Sequence, residues 1–218
     1  MNYSTLCDTL IKEAGLSDGG ITSVLGQTGI KQKVVRWVSS AWVEIQNKRD
    51  WNFLWKEGSF DTVVGKQSYH PVQDLALDPP LRRWHPYTII HSTSGGSNYY
   101  LKYVKWDNFD NTLSSEGRPT HFTIKPDNTL RFDRVPTEED VVSFEYTREP
   151  EVLSASTDVP SLPTHHHDVI LYQAMVYLAA EQDAPELYQD ASRQLTTRLA
   201  DMAAETLPNP SVANVPLA

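Results

Sequence analysis

Apolar side chains recur at three- and four-residue steps over the first fifty residues, which predicts two amphipathic helices. We expect the first helix over about residues 4–14 and the second over about 30–49. The apolar positions of the two stripes are Tyr3, Leu6, Cys7, Leu10, Ile11, Ala14, Ile30, Val34, Trp37, Val38, Ala41, Trp42 and Ile45. Because Cys7 lies on such a stripe without a basic neighbour, we interpret it as a small buried hydrophobe rather than a nucleophile.

The spacing of the apolar side chains changes after the aromatic segment 49–53. Short runs rich in β-branched and aromatic residues follow, and turn residues separate them. These runs are residues 59–64, 87–91, 99–104, 121–125, 129–132 and 141–147. Between two of them, Pro126, Asp127 and Asn128 form a hairpin signal, since proline presets φ and the other two tolerate turn geometry. The pattern predicts an antiparallel β domain, either a small sandwich or a barrel.

Helical patterning returns after Pro163. The third predicted helix, about residues 164–181, is apolar nearly all round, so most of its surface must be covered. In a chain of this size we expect other subunits to provide that cover. The expected subunit-interface residues are Ile170, Tyr172, Met175, Val176 and Ala179. A fourth helix is expected to begin around Pro185, where Asp183 and Glu186 have the spacing of a capping box.

The last twelve residues carry no charged side chain and three prolines. Such a segment cannot continue a helix and is too small to form a core, so we expect an extended arm. The arm residues expected to bind a partner chain are Leu207, Pro208, Pro210, Val212, Val215, Pro216 and Leu217.

These elements predict an α+β fold in which N- and C-terminal helical pairs close into a four-helix bundle around an inserted antiparallel β domain. The expected division is a first helical pair at 1–51, the β domain at 52–150, a second helical pair at 151–206 and the extended C-terminal arm at 207–218.

Charge and composition limit the classes of function that the chain can have. The 218 residues include 19 Lys and Arg against 28 Asp and Glu, for a net charge of -9, and one cysteine. A single cysteine excludes an internal disulfide and a Cys-based zinc site. No run is long and apolar enough for a membrane helix, and the first segment lacks the pattern of a secretory signal. The excess of carboxylates argues against gripping nucleic acid over the whole surface, and we expect an intracellular, acidic globular chain.

Two clusters of basic groups and histidines are candidates for binding. Lys31, Lys33 and Arg36 lie in the first half of the second helix, where they do not suit the helix dipole. They form either a solvated face or contacts to an acidic partner. Residues 165–167 are three consecutive histidines. Neighbouring helical positions diverge by about 100°, so the three cannot converge on one ion from a single helix, and we expect surface histidines and no metal or other cofactor.

No phosphate-binding loop, nucleophile elbow or zinc-protease pattern occurs in the sequence. Six acidic residues between positions 138 and 151 are read as an acidic face rather than as a catalytic pair, since an active carboxyl needs a desolvating pocket. The aromatic and basic run 99–103, with Trp106, has the composition of a single-strand binder. Alternation favours a core role for Leu101 and Tyr103. We therefore expect that the protein is not an enzyme.

Several motifs occur in an order that resembles the head-to-tail adaptor, or head-completion, proteins of tailed bacteriophages. They are Arg49-Asp50-Trp51-Asn52-Phe53, then Phe60-x-Thr62-x-x-Gly65-x-x-x-Tyr69, Pro119-x-x-Phe122 before a hairpin, Phe144-x-Tyr146, and Leu162-Pro163-x-x-His166 before an apolar helix. The resemblance covers most of residues 30–203.

The resemblance implies a virion structural protein at the junction of capsid and tail, made in the host cytoplasm. It implies a ring, usually of twelve subunits, that binds the portal protein, meets a tail or nozzle protein, and extends the channel through which double-stranded DNA passes without specific binding. Two alternatives stay open. One is another neck or tail component, such as a nozzle or terminator subunit. The other is a carbohydrate-binding β module, which Trp84, Tyr99, Tyr100 and Trp106 suggest.

Overall fold

The computed structural model of the chain describes residues 1–16, 19–110 and 115–207. Its backbone forms four α-helices and nine short strands, so the fold class is α+β, as predicted. The chain divides into two compact units. A helical unit contains the sequence up to Phe53 and from Pro150 onward, and a β unit contains Leu54–Glu149.

The first helix, α1, spans Tyr3–Glu13. It begins where the side chain of Asn2 accepts a hydrogen bond from the backbone N–H of Thr5 at 2.9 Å, which satisfies one of the free donors of the first turn. It ends before Gly15, whose φ of +63° is a left-handed conformation that glycine adopts without steric cost. The predicted stripe is buried except for Ala14, which is half-buried.

The second helix, α2, spans Gly29–Lys48. It buries the predicted apolar stripe except for Ile30, which is half-buried. It also buries Gln46, an amide that the hydrophobic pattern does not predict. The Gln46 side chain donates to the backbone carbonyl of Glu151 at 2.9 Å and accepts from the backbone N–H of Glu151 at 2.8 Å. This pair of bonds fixes the returning chain against α2.

The third helix, α3, spans Asp168–Glu181 and follows a 3-10 turn over Thr164–His166. It contacts α1, α2 and the fourth helix, α4, which spans Pro185–Thr206. These three neighbours bury most of the apolar surface of α3. Contacts within the chain therefore provide much of the cover that the sequence pattern assigned to other subunits.

The capping-box prediction at the start of α4 is wrong. Among the residues that the structure describes, no side chain caps the first turn of α4, and Asp183 lies in the turn between the helices with a φ of +50°. Asp183 there occupies the left-handed position that ends α3, and the N–H of Ala184 bonds the carbonyl of Ala179 at 3.0 Å. A residue in this conformation cannot also cap the next helix.

The β unit contains two sheets. Its strands are β1 Trp55–Asp61, β2 Ser68–Tyr69, β3 Leu81–Trp84, β4 Ile90–Ser92, β5 Asn98–Tyr100, β6 Lys102–Tyr103, β7 His121–Ile124, β8 Leu130–Phe132 and β9 Val141–Arg148. The first sheet has the order β1-β9-β4-β5, with β3 also paired to β9, and every pairing is antiparallel. The strand β9 organises it, because β1 pairs along one edge and β4 and β3 share the other.

The second sheet has the order β2-β8-β7-β6. Its β6–β7 pair is parallel, which differs from the expected all-antiparallel domain. The stretch between these two strands is long enough for the crossover that a parallel pair needs. The predicted strand 99–104 is divided between the sheets, since β5 pairs with β4 and β6 pairs with β7, with the buried Leu101 at the changeover.

The two sheets share one hydrophobic core, as in a sandwich. Its buried members are Tyr69, Leu81, Trp84, Ile89, Leu101, Phe122, Leu130, Phe132, Val142, Phe144 and Tyr146. Among the described residues, none of the helices combines the length and apolarity required to cross a bilayer.

Candidate interaction surfaces

The predicted interface residues of α3 divide into two groups. Ile170, Met175 and Ala179 are buried by the rest of the helical unit. Tyr172 and Val176, four residues apart on one helical face, are half-buried and keep some accessible surface. Of the five predicted interface residues, Tyr172 and Val176 are therefore the two that remain accessible to a second subunit.

The basic residues at the start of α2 have acidic and carbonyl partners within the chain. Lys33 forms an ion pair with Glu181 at the end of α3, and Lys31 approaches the backbone carbonyl of Gly20 at 3.5 Å. The hydrogen bond from Lys33, followed by its charge and then the charge of Arg36, lowers the pKa of Glu181. Glu181 of α3 is thus one acidic partner of this cluster. Of the three basic residues, Arg36 is the exposed one.

The predicted C-terminal arm lies almost entirely outside the described residues. Only Leu207 is described; it is half-buried, and its N–H bonds the carbonyl of Ala203 at 3.2 Å. The binding role assigned to Pro208, Pro210, Val212, Val215, Pro216 and Leu217 stays a prediction.

Two of the three consecutive histidines converge on one carboxylate. The Nε2 atoms of His165 and His166 lie 3.0 and 2.9 Å from Oε2 of Glu205, in the last turn of α4. Their ring centroids are 4.1 Å apart. The hydrogen bond from His165, followed by that from His166, lowers the pKa of the Glu205 carboxyl. His165 is exposed, as predicted for this run, whereas His166 is buried.

The third histidine of the run has a different environment. His167 is buried, and its Nε2 donates to the carbonyl of Leu162 at 3.0 Å. With the proton on Nε2, Nδ1 accepts from the amino group of Met1 at 2.7 Å. Both ring nitrogens of His167 are engaged in the protein, so this residue is separate from the cluster at Glu205.

A buried histidine and aspartate lie between strands of the β unit. His91, in β4, is fully buried, and its Nε2 lies 3.6 Å from Oδ2 of the buried Asp140. Burial, and then the positive charge of Arg118, lower the pKa of His91, while the negative charge of Asp140 acts in the opposite direction. Within the described part of the chain, no hydrogen-bond partner is found for either ring nitrogen.

The burial of Asp140 changes the interpretation of the acidic run. Glu138, Glu139 and Glu149 are exposed, as an acidic face requires. Asp140 instead accepts a hydrogen bond from the N–H of Ser94 at 2.9 Å. Its backbone N–H also donates to the hydroxyl of Thr62 at 2.9 Å. Asp140 therefore holds loops of the β unit together.

The aromatic residues that suggested a carbohydrate module do not form an exposed platform. Trp84 is buried in the core, and Tyr99 and Trp106 are half-buried, so only Tyr100 presents most of its surface. The core role predicted for Leu101 and Tyr103 is confirmed, since Leu101 is buried and Tyr103 packs on Phe122 with ring centroids 5.5 Å apart.

Cys7 is buried in the helical unit, as predicted. Burial raises the pKa of its thiol to about 12, so the reactive thiolate is scarce at neutral pH. This residue is a packing element, in agreement with its position on the apolar stripe.

The chain thus has a helical unit assembled from both ends of the sequence and an inserted unit of two sheets. A model of the SU10 adaptor protein family matches residues 1–215, and the chain belongs to this family. The match confirms the resemblance to phage head-to-tail adaptors. A comparison with curated proteins returns no match.

Membership of the family defines the class of function. The chain is a phage adaptor protein, which is a structural protein, and the family is not known for catalysis. It implies a virion component at the head–tail junction that associates with other neck proteins. It also favours the adaptor over the nozzle, terminator and carbohydrate-binding alternatives.

Proposed function

We propose that the protein assembles into a ring of twelve subunits that joins the portal to the tail and extends the DNA channel. The observation that carries this proposal is the family match over residues 1–215. Because the match includes both the helical and the β units, the proposal concerns the whole described chain rather than one module. Synthesis in the host cytoplasm, before assembly into the virion, belongs to the same proposal.

The four helices form one bundle, in this proposal, and the bundle makes the contacts between subunits and faces the portal. A closed ring requires a heterologous contact, in which two different surfaces of each subunit meet. The half-buried Tyr172 and Val176 supply accessible apolar area for one side of that contact. Arg36, exposed near the start of α2, is available to an acidic group on the neighbouring subunit or the portal.

The β unit projects outward or toward the tail in the proposed ring. Several of its large apolar side chains are exposed in the chain alone, including Tyr87 at 83% and Tyr100 at 67%. Exposed apolar side chains are suited to a protein partner when neighbouring ones form a patch. A tail or nozzle protein is the partner that the proposed position supplies.

The net charge of -9 suits a channel through which DNA must slide. Phosphates bind to Lys and Arg by releasing counterions, so a basic lumen would retain the DNA and slow its passage. An acidic subunit repels the phosphates instead, and the proposed relation to DNA is therefore passage without specific binding.

The C-terminal arm, residues 207–218, anchors the ring to the portal in this proposal. About twelve residues in extended form reach on the order of 35 Å, which is enough to follow a groove on a neighbouring chain. Their lack of charge favours burial against apolar surface.

Deletion of residues 208–218 tests the anchor. The truncated chain should keep its fold, because the helical core is built from residues up to 207, and should lose association with purified portal in co-sedimentation. A matched control replaces the same residues with a Gly/Ser segment of equal length. Undiminished portal association of both variants would contradict the anchoring role.

A further inference from the structure

The group formed by His165, His166 and Glu205 brings three metal-ligating atoms together from two parts of the chain. The two imidazole Nε2 atoms and the carboxylate oxygen all lie within 4.8 Å of one another. The histidines belong to the 3-10 turn before α3, whereas Glu205 lies forty residues later in the last turn of α4. The convergence is therefore a product of tertiary structure and not of the histidine run alone.

The spacing suits a tetrahedral ion. Zinc bound at about 2.0–2.1 Å separates neighbouring ligand atoms by about 3.3 Å. The distances from Glu205 Oε2 to the two Nε2 atoms are 3.0 and 2.9 Å, so small side-chain rotations open the required space. The side chains of His165 and Glu205 are 58% and 55% exposed, which leaves them free to rotate and keeps an approach from solvent.

The donor set selects a class of metal. Two neutral imidazoles and one carboxylate suit zinc and neighbouring divalent transition metals, whereas magnesium and calcium prefer an all-oxygen shell. Three protein ligands leave a fourth position for water. The lone Cys7 is buried on α1 and does not compete as a ligand.

We propose that His165, His166 and Glu205 form a binding site for a divalent transition-metal ion of the zinc class. The bound ion links the turn that precedes α3 to the last turn of α4 and so closes the open end of the α3–α4 hairpin. Since helix ends fray, this link stabilises the end of α4 immediately before Leu207. The site lies within the helical unit and does not depend on the proposed ring.

The direct test is zinc titration of the full chain, purified without a histidine tag and stripped with a chelator. Calorimetry should give one zinc ion per chain, and cobalt should give the intense visible absorption of tetrahedral coordination. Zinc should also raise the melting temperature, because an ion that binds only the folded chain stabilises it.

Three variants distinguish a metal site formed by all three residues from chelation by the consecutive histidines alone. Glu205→Gln and His165→Ala should each weaken zinc binding by at least about tenfold, the lower bound for disturbing even the outer partners of a metal site. The double variant His165→Ala/His166→Ala should abolish it. Because His165 and Glu205 are exposed, these single variants should melt like the native chain in chelator.

Two control variants change the same types of side chain at other places in the chain. His121→Ala removes a histidine of the β unit, and Glu186→Gln removes an exposed carboxylate at the other end of α4. Both should bind zinc with the native affinity. The absence of saturable binding to the native chain would overturn the site, and so would native affinity in Glu205→Gln, which would show that the histidines act without α4.

Discussion

At the scale of single residues, Gly58 occupies a position that has no room for a larger side chain. It lies in β1 opposite Phe144 of β9, and a Cβ atom built on it would approach Phe144 Cζ to 2.7 Å and Cε2 to 2.8 Å. Phe144 cannot move aside freely, because it is buried and packed against Trp84 with ring centroids 4.8 Å apart.

Gly58→Ala should therefore destabilise the β unit by about 1–3 kcal/mol, as overpacking of a filled core does. The free energy of unfolding in urea measures the effect. Gly95→Ala is the matched control, since its nearest neighbour would be Thr93 Oγ1 at 3.8 Å. Equal stability of the two variants would show that the contact with Phe144 is not restrictive.

The buried His91 makes stability depend on pH. Its pKa is lowered in the folded state, so the unfolded chain binds the proton more readily. Stability is therefore complete above the ordinary histidine pKa of about 6.5 and falls as the pH drops below it.

The fall in urea midpoint between about pH 7.5 and about pH 5.5 should be smaller in His91→Gln than in the native chain. His121→Gln, a substitution of a more exposed histidine in the same unit, is measured beside it. His167, whose pKa is also lowered by burial, contributes in the same direction and remains in both variants. An unchanged fall in His91→Gln would contradict the assignment.

At the scale of elements, Gln46 connects α2 to the chain that returns from the β unit. Its amide satisfies both backbone groups of Glu151 and also donates to the carbonyl of Trp42 at 3.2 Å. Without it, the backbone N–H and carbonyl of Glu151 lose their partners at the surface of α2.

Gln46→Leu keeps the size of the side chain and removes these bonds, so it should lower the free energy of unfolding by about 1–3 kcal/mol. Thermal unfolding followed by circular dichroism measures the loss. The exposed neighbour Asn47 provides the control, because Asn47→Leu should change stability by no more than about 0.5 kcal/mol. A neutral Gln46→Leu would show that water replaces the amide.

The helices could be predicted from the sequence to within a few residues, because their apolar stripes are long and periodic. The strands β2 and β3 could not, since β2 has two residues and β3 carries two arginines between its apolar ends. Their strand conformation depends on pairing with β8 and β9, which is information from distant residues.

The same limit applies to the candidate sites. The histidine run is visible in the sequence, but the partner of its first two members lies in α4 and becomes identifiable only once the α3–α4 hairpin is known. The pairing of His91 with Asp140 likewise joins β4 to the residue before β9. The sequence shows that α3 is apolar nearly all round. It does not show that the cover comes from α1, α2 and α4 of the same chain, because those contacts depend on the tertiary structure.

At the scale of the whole molecule, one adaptor subunit combines a helical unit, a β unit and an uncharged C-terminal segment. The helical unit already buries most of α3, so a ring does not need that helix as its main interface. Assembly can instead depend on residual surface such as Tyr172 and Val176 and on the partner that the arm binds.

The most direct test of the central claim is the mass of the complex formed with the cognate portal, measured by native mass spectrometry beside each component alone. We expect the chain to join the portal in a single closed complex that contains twelve copies of the chain. A chain that stays separate from the portal, or that joins it as one copy, would contradict the ring adaptor.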